Sequence, residues 1–211
     1  MKVIKIVNEK YGQNSYLVIS EDTAILIDAS ANVSQIEEYL KIYNPKPKLK
    51  AIFITHEHFD HICELDNLIR KYKCNAYIHV DGKPCLYKED QNLSVLDMPF
   101  KIKTKKEIKT FKDGEEIAID DIAIKCYHTP GHSNGSSCFV IDHNMFVGDT
   151  VFKINIGRTD LYGGDENKER ISLVRILNDL SDDIEYFYPG HSLMFDMNDL
   201  KYNLSHYLGE N

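Results

Sequence analysis

Residues Ala51-Ile52-Phe53-Ile54-Thr55-His56-Glu57-His58-Phe59-Asp60-His61 decide how the chain is read. The first four form an apolar run of the length expected for a buried strand. A polar cluster follows at once. Strand alternation turns the side chains of His56 and His58 to one side, and Asp60 and His61 then enter the start of a helix. Three imidazoles and a carboxylate crowded together are costly unless something cationic holds them. Imidazole and carboxylate are the usual ligands for zinc, iron or manganese. With nine His in 211 residues, a His-rich surface loop does not account for this spacing. Glu57 and Phe59 alternate with the ligand-type residues, so they point away and receive no chemistry.

Three later stretches repeat the pattern of apolar strand, turn residue and one ligand-type side chain. They are Thr129-Pro130-Gly131-His132, Phe146-Val147-Gly148-Asp149 and Tyr188-Pro189-Gly190-His191. Together they supply what a second metal ion needs. Strand ends commonly carry functional groups into a shared crevice.

The surrounding pattern alternates strands and helices. Val3–Val7, Tyr16–Ile19, Ala24–Ile27, Ala51–Ile54 and Ala76–Val80 read as strands. Val33–Tyr43 has helical spacing, and Pro45 and Pro47 stop it. A helix after the cluster aligns Ile62, Leu65, Ile69 and Tyr72. Residues 84–106 lack periodicity and are read as a short helix and a surface loop. Residues 107–147 read as successive strands, with turns at Asp113-Gly114, Asp120-Asp121 and His143-Asn144. Residues 165–180 read as a helix capped by Asp165, with Ile171, Val174 and Leu177 inward. Ile184–Tyr188 is a strand, and Asn198–Leu208 a last helix with Leu200, Leu204 and Leu208 in line. Two similar halves, each a sheet with helices on one face, predict an α/β fold of four layers, αββα. No Gly-, Pro- or Ser-rich linker divides it, so residues 1–211 are read as one domain.

The bulk properties exclude several classes. Apolar residues make up 43% of the chain, ordinary for a globular protein. No stretch approaches the roughly 20 apolar residues of a membrane span. The N-terminal Met1–Val7 is too evenly charged for a signal peptide, so a cytoplasmic location is expected. Lys and Arg number 25 against 33 Asp and Glu, for a net charge of −8, which disfavours nucleic acid as a partner. The basic stretch at Lys101, Lys103, Lys105, Lys106, Lys109 and Lys112 reads as solvated surface. The five cysteines, Cys63, Cys74, Cys85, Cys126 and Cys138, contain no CxxC. That argues against a disulfide framework and a Cys-rich zinc site.

His-x-His-x-Asp-His, followed by His132, Asp149 and His191 in their turns, resembles the metallo-β-lactamase fold superfamily across nearly the whole chain. The resemblance implies two mixed sheets packed face to face. It implies two divalent ions, zinc first, with iron or manganese as the other candidates. His56, His58 and His132 would hold one ion, and Asp60, His61 and His191 the other. Asp149 would bridge them. Within the superfamily the chain is similar to glyoxalase II and its shorter hydroxyacylglutathione hydrolase-like relatives. The residues that carry this are Thr129–Ser133, Gly135-Ser136, Gly148–Phe152 and Gly157-Arg158-Thr159-Asp160. Relatives of the flavodiiron type place Glu where this chain has His58, which disfavours oxygen-reducing diiron chemistry. There are departures. The additional C-terminal helical region that helps glyoxalase II bind glutathione is not expected after His191, and Cys63-Glu64 stands where many relatives carry a small residue.

The resemblance therefore implies a metal-dependent hydrolase that cleaves a small thioester by attack of a metal-bridging hydroxide. Asp60 and Asp149 would bind metal and orient the nucleophile. The substrate itself is the only partner expected. Thr55 and Ser133 are candidate supporting donors. Arg158 either contacts a substrate carboxylate or pairs with Asp160, and the pairing is favoured. Lys153 and Tyr162 are candidates for the mouth of the site. Cys63 is read as a buried structural thiol, His128 as structural, and His79, His143 and His206 as surface or satisfied. An alternative on the same fold is a mononuclear-iron persulfide dioxygenase using His56, His132 and Asp149. A non-catalytic metal-binding protein is a third reading, disfavoured because a site kept only for folding would be a closed tetrahedral one.

Overall fold

The computed structural model describes residues 1–97, 102–104, 108–181 and 183–209. Strands β1 (Lys2–Asn8), β2 (Gln13–Ser20) and β3 (Thr23–Ile27) form an antiparallel meander. β4 (Lys48–Phe53), β5 (Asn75–His79) and β6 (Ile108–Phe111) then add in parallel. Parallel neighbours need crossovers. Helix α1 (Val33–Leu40) lies between β3 and β4, and α2 (Phe59–Ile62) and α3 (Leu65–Tyr72) lie between β4 and β5.

The second sheet begins with β7 (Glu116–Ile119), β8 (Ile122–His128), β9 (Ser137–Ile141) and β10 (Asn144–Gly148), all antiparallel. A crossover through α4 (Glu166–Arg175) leads to β11 (Tyr186–Pro189), parallel to β10. β12 (Phe195–Asp196) forms the edge, and α5 (Met197–Leu208) follows. The sheets have strand orders β1-β2-β3-β4-β5-β6 and β12-β11-β10-β9-β8-β7.

Alternation along the strands builds the layers. In β2, Tyr16 and Val18 enter the core between the sheets, while Leu17 and Ile19 face α1 and α3. Phe53 stacks on Tyr77 at 4.8 Å and meets Phe139 of the other sheet edge-on at 5.5 Å. Each such buried ring contributes roughly 1.5–3 kcal/mol. A third cluster joins the outer face of the second sheet to α4 and α5 through Met145, Leu173, Phe187, Leu200 and Leu204. Helices therefore cover both outer faces, the expected αββα sandwich.

Several details differ from expectation. α1 stops at Leu40, short of Tyr43, with Lys41 as its cap. The turn expected at His143-Asn144 sits one residue earlier, where Asp142 has φ 51° and opens the hairpin. The strand expected over Ile184–Tyr188 is Tyr186–Pro189. In α4, Ile171 is 67% exposed and Val174 39%, while Glu169, Ser172 and Leu173 are buried. Two bonds fix this rotation: Ser172 Oγ donates to Pro130 O at 2.7 Å, and Asp165 N–H donates to Gly131 O at 2.8 Å. Docking against the 129–133 turn thus overrides the apolar count. In the stretch read as short helix and loop, Cys85–Tyr87 and Ser94–Leu96 are single 3₁₀ turns. The rest of that reading falls partly on residues 98–101 and 105–106, outside the described residues, as do Lys101, Lys105 and Lys106 of the basic stretch. Lys103, Lys109 and Lys112 are exposed. No helix is long and apolar enough to cross a membrane among the described residues.

Candidate metal centre

The C-terminal ends of β3, β4, β8, β10 and β11 deliver the functional side chains to one crevice between the sheets. His56, His58 and His132 gather there, as do His56, His61 and Asp149, and Asp60, His61 and His191. All seven residues singled out from sequence are brought together. His56 and His58 lie on the same side of their segment, rings 4.6 Å apart, and the His56 and His61 rings are 4.0 Å apart.

The hydrogen bonds fix which ring nitrogens face the crevice. His132 Nδ1–H donates to the Arg158 carbonyl at 2.8 Å, and His191 Nδ1–H donates to the Gly12 carbonyl at 3.1 Å. His61 Nδ1–H donates to Asp28 Oδ2 at 2.8 Å. Thr55 Oγ1 donates to Asp28 and accepts from His56 Nδ1–H at 3.1 Å. A neutral imidazole that donates from Nδ1 presents a bare lone pair at Nε2. In their neutral form, the rings of His56, His61, His132 and His191 therefore point four such lone pairs inward. His132 Nε2 also lies 2.9 Å from His58 Nδ1, so these two nitrogens share a proton or face a cation.

Four buried atoms at this place have no hydrogen-bond partner: His56 Nε2, His58 Nε2, His61 Nε2 and Asp149 Oδ1. Each orphan costs about 1–3 kcal/mol if nothing satisfies it. Asp149 Oδ1 faces His61 Nε2 at 3.4 Å. Its Oδ2 lies 3.5 Å from His191 Nε2 and 3.8 Å from His132 Nε2. His191 Nε2 is 3.1 Å from Asp60 Oδ2. The donor set fits divalent metal: imidazole lone pairs and carboxylate oxygens converge, and their partners' second nitrogens are tied to carbonyls or carboxylate, as metal-bound histidines are.

The electrostatics agree. Burial pushes His56 well below the usual imidazole range, reinforced by the neighbouring rings. Burial and His132 push His58 down to about 3. Both are therefore neutral, ligand-ready rings at pH 7. Burial also opposes charge on His61, but Asp28, Asp60 and Asp149 outweigh it and raise its pKa well above 6.5. The same carboxylates favour any cation at His61 Nε2. Burial pushes the Asp149 carboxyl up, and attraction to His61, His191 and His132 more than reverses this, holding it well below the usual range.

Sequence reasoning missed Asp28. It follows the apolar run Ala24–Ile27 directly, without the turn residue that completed the pattern at His132, Asp149 and His191. Its Oδ1 accepts from Thr55 N–H at 2.8 Å while Oδ2 orients His61. Replacing Asp28 with alanine is expected to weaken metal retention by about 10–100-fold, the scale for losing such a partner. Competition with a chelator checks this, and unchanged affinity would remove Asp28 from the centre.

Thr55 and Ser133 both act as donors. Ser133 does so through Glu57, whose Oε2 it reaches at 3.1 Å. Glu57 indeed points away from the crevice, yet it is fully buried, and burial raises its carboxyl above the usual range against several hydrogen bonds. Arg158 forms a bidentate pair with Asp160 at 2.7 and 2.8 Å, both exposed, so its carbonyl rather than its guanidinium serves the centre. Lys153 pairs with Asp199 at 3.2 Å, and Tyr162 is 43% exposed. Cys63 is half-buried beside Asn8 and Ser30. His143 Nδ1–H donates to Asp183 O, and His206 is exposed. His79, Asp81 and His128 also cluster, but the two rings stack at 3.6 Å and 11°. Stacked rings aim their nitrogens in parallel rather than at one point, and none of their buried side-chain atoms is left without a partner.

Comparison with known proteins gives the family. The chain is 34% identical over 155 residues to a probable metallo-hydrolase of Bacillus subtilis (strain 168), covering 72% of each. It is 30% identical over 197 residues to a probable polyketide biosynthesis zinc-dependent hydrolase of the same organism, covering 90% of this chain and 79% of that one. The crystal structure of the BLEG-1 B3 metallo-beta-lactamase superposes with a TM-score of 0.83 at 26% identity, covering 95% of this chain and 97% of that one. The family model of the metallo-beta-lactamase superfamily matches residues 9–191. With this fold and this crevice of histidines and aspartates, the chain belongs to the metallo-beta-lactamase superfamily and is a metal-dependent hydrolase by family.

Proposed function

We propose that the chain is a binuclear enzyme that hydrolyses a small thioester, in the manner of the glyoxalase II-like proteins. The observation that carries the reading is Asp149. Its Oδ2 lies between His132 of one triad and His191 of the other, while Oδ1 faces His61, which suits a carboxylate shared by two ions. Asp28, Asp60 and Asp149 bring three formal negative charges into one crevice. One divalent ion leaves that crevice negative, and two make it slightly positive. The name of the zinc-dependent relative supports zinc as the metal.

When bound, two such ions supply Lewis acidity, lowering the pKa of water and polarising a carbonyl oxygen. The protein residues do the rest. Asp60 and Asp149 orient the nucleophile. Asp28, Gly12 O and Arg158 O hold the imidazoles in the tautomer that presents Nε2 inward. Burial of His56, His58, His61 and His132 strengthens the charge interactions among them.

The test is thiol release from S-lactoylglutathione and from a short acyl-coenzyme A thioester. Release is expected to disappear with a chelator, to return with Zn²⁺, and to fall at least about 100-fold in His58→Ala. The alternative, a mononuclear-iron persulfide dioxygenase, draws on His56, His132 and Asp149, which lie in the same crevice. Oxygen uptake on glutathione persulfide without thiol release from either thioester would replace the hydrolase reading with it.

A further inference from the structure

The segment 55–58 carries ligand-type side chains on one face only. On its other face, Glu57 crosses from the loop after β4 into the 133–136 loop after β8. Its Oε2 accepts from Ser133 Oγ at 3.1 Å and from Gly135 N–H at 3.1 Å. Ser133 is further held by Ser136, whose Oγ lies 3.0 Å from both Ser133 N and Ser133 Oγ. Two backbone segments close around the carboxylate. A Cβ on Gly135 would lie 2.5 Å from Glu57 Oε2 and 2.6 Å from Gly82 Cα. A Cβ on Gly82 would lie 3.0 Å from both Glu57 Oε2 and Gly135 Cα. Glycine at 82 and 135 lets the backbone approach a fully buried carboxylate that no wider packing could seat.

The placement has a consequence for the crevice. His56 and His58 flank Glu57 on the first sheet's loop. His132 adjoins Ser133 on the second sheet's loop. The three rings come from opposite halves of the fold, and Glu57 ties the two loops directly behind them. We propose that Glu57 is a positioning residue that sets the distance of His132 from His56 and His58, and so tunes the affinity of the ion those three histidines hold. It touches no ligand of the crevice and acts through the Ser133–Gly135 backbone. The inference rests on the metal-binding reading of the crevice.

The experiment is a titration of metal-free protein with Co²⁺, followed by its visible ligand-field spectrum, and with Zn²⁺ against a chromophoric chelator. Wild type, Glu57→Gln, Glu57→Ala and Ser133→Ala are compared. The number of equivalents that wild type binds tests the binuclear reading separately. The variant-to-wild-type ratio tests Glu57. Glu57→Ala is expected to weaken one equivalent tenfold or more and to change its Co²⁺ spectrum, leaving any second equivalent within about twofold. Ser133→Ala should move the same equivalent in the same direction. Glu57→Gln keeps one oxygen that can accept from both Ser133 Oγ and Gly135 N–H, as Glu57 Oε2 does, so it should stay within about threefold of wild type. If Glu57→Ala does not fold, Ser133→Ala and Glu57→Gln still decide. Unchanged affinity for every equivalent, even with a lowered melting temperature, overturns the proposal. So does an equal loss at both equivalents, which would mark general loosening.

Discussion

Asp149→Asn is expected to reduce thioester hydrolysis by at least about 10²–10³-fold, the scale for removing one preorganised electrostatic contact, and to lower metal retention at both positions. The side chain keeps its shape, so the fold should persist. An amide leaves one neutral oxygen and turns an NH₂ toward the other donor group. Asp149 Oδ1 serves His61, and Oδ2 serves His132 and His191, so one side or the other meets a donor instead of an acceptor. The amide also removes one of the carboxylates that favour a cation at His61. Far-UV circular dichroism, metal content and thiol release together read this result. A variant that retains both metals and most of its activity would take Asp149 out of the centre.

The second large effect concerns stability. Glu169 is fully buried on α4, beneath the turn that carries His132. Neither carboxyl oxygen makes a well-formed hydrogen bond, and the His132 backbone amide compensates only in part. Burial pushes its pKa from 4.5 up to about 9. The folded state therefore keeps the proton that the unfolded chain releases. This contribution favours folding fully below about pH 4.5 and is lost steadily as pH rises toward 9. At pH 7 the loss is about 3 kcal/mol, at 1.36 kcal/mol per pH unit. Glu169→Leu removes the ionisable group at similar volume. At pH 7 it should raise the melting temperature by roughly 6–12 °C, taking about 2–4 °C per kcal/mol for a chain of this size, and by more at pH 8. At pH 5 the gain should be nearly absent. Melts of both proteins across pH 5–8 check this, and a gain independent of pH would mean that packing, not ionisation, sets the effect.

Glu169 also shows where sequence patterning runs out. The apolar residues of α4, Ile171 and Val174, suggest one inward face, but the helix turns Glu169 and Ser172 inward because its first two turns bond the 129–133 loop. Periodicity weighs apolarity alone and does not see such tertiary bonds. By contrast β2, β3 and β4 are buried on both faces, so their continuous apolar runs were legible as strands, and the four layers follow from element order. The seven ligand-type residues were legible because each follows an apolar strand. Asp28 also follows an apolar strand but lacks the turn glycine that precedes His132, Asp149 and His191, so its role emerges only when His61 folds against it. Glu57 was legible as pointing away. What it points into comes from a loop more than 70 residues later, which no local pattern supplies.

The measurement that tests the account most directly is the metal content of the wild-type protein purified without added metal, by plasma emission spectrometry against amino-acid analysis. Close to two divalent ions per chain, zinc foremost, is the predicted result. One iron per chain, with no second equivalent taken up when zinc is supplied in excess, would contradict the binuclear centre.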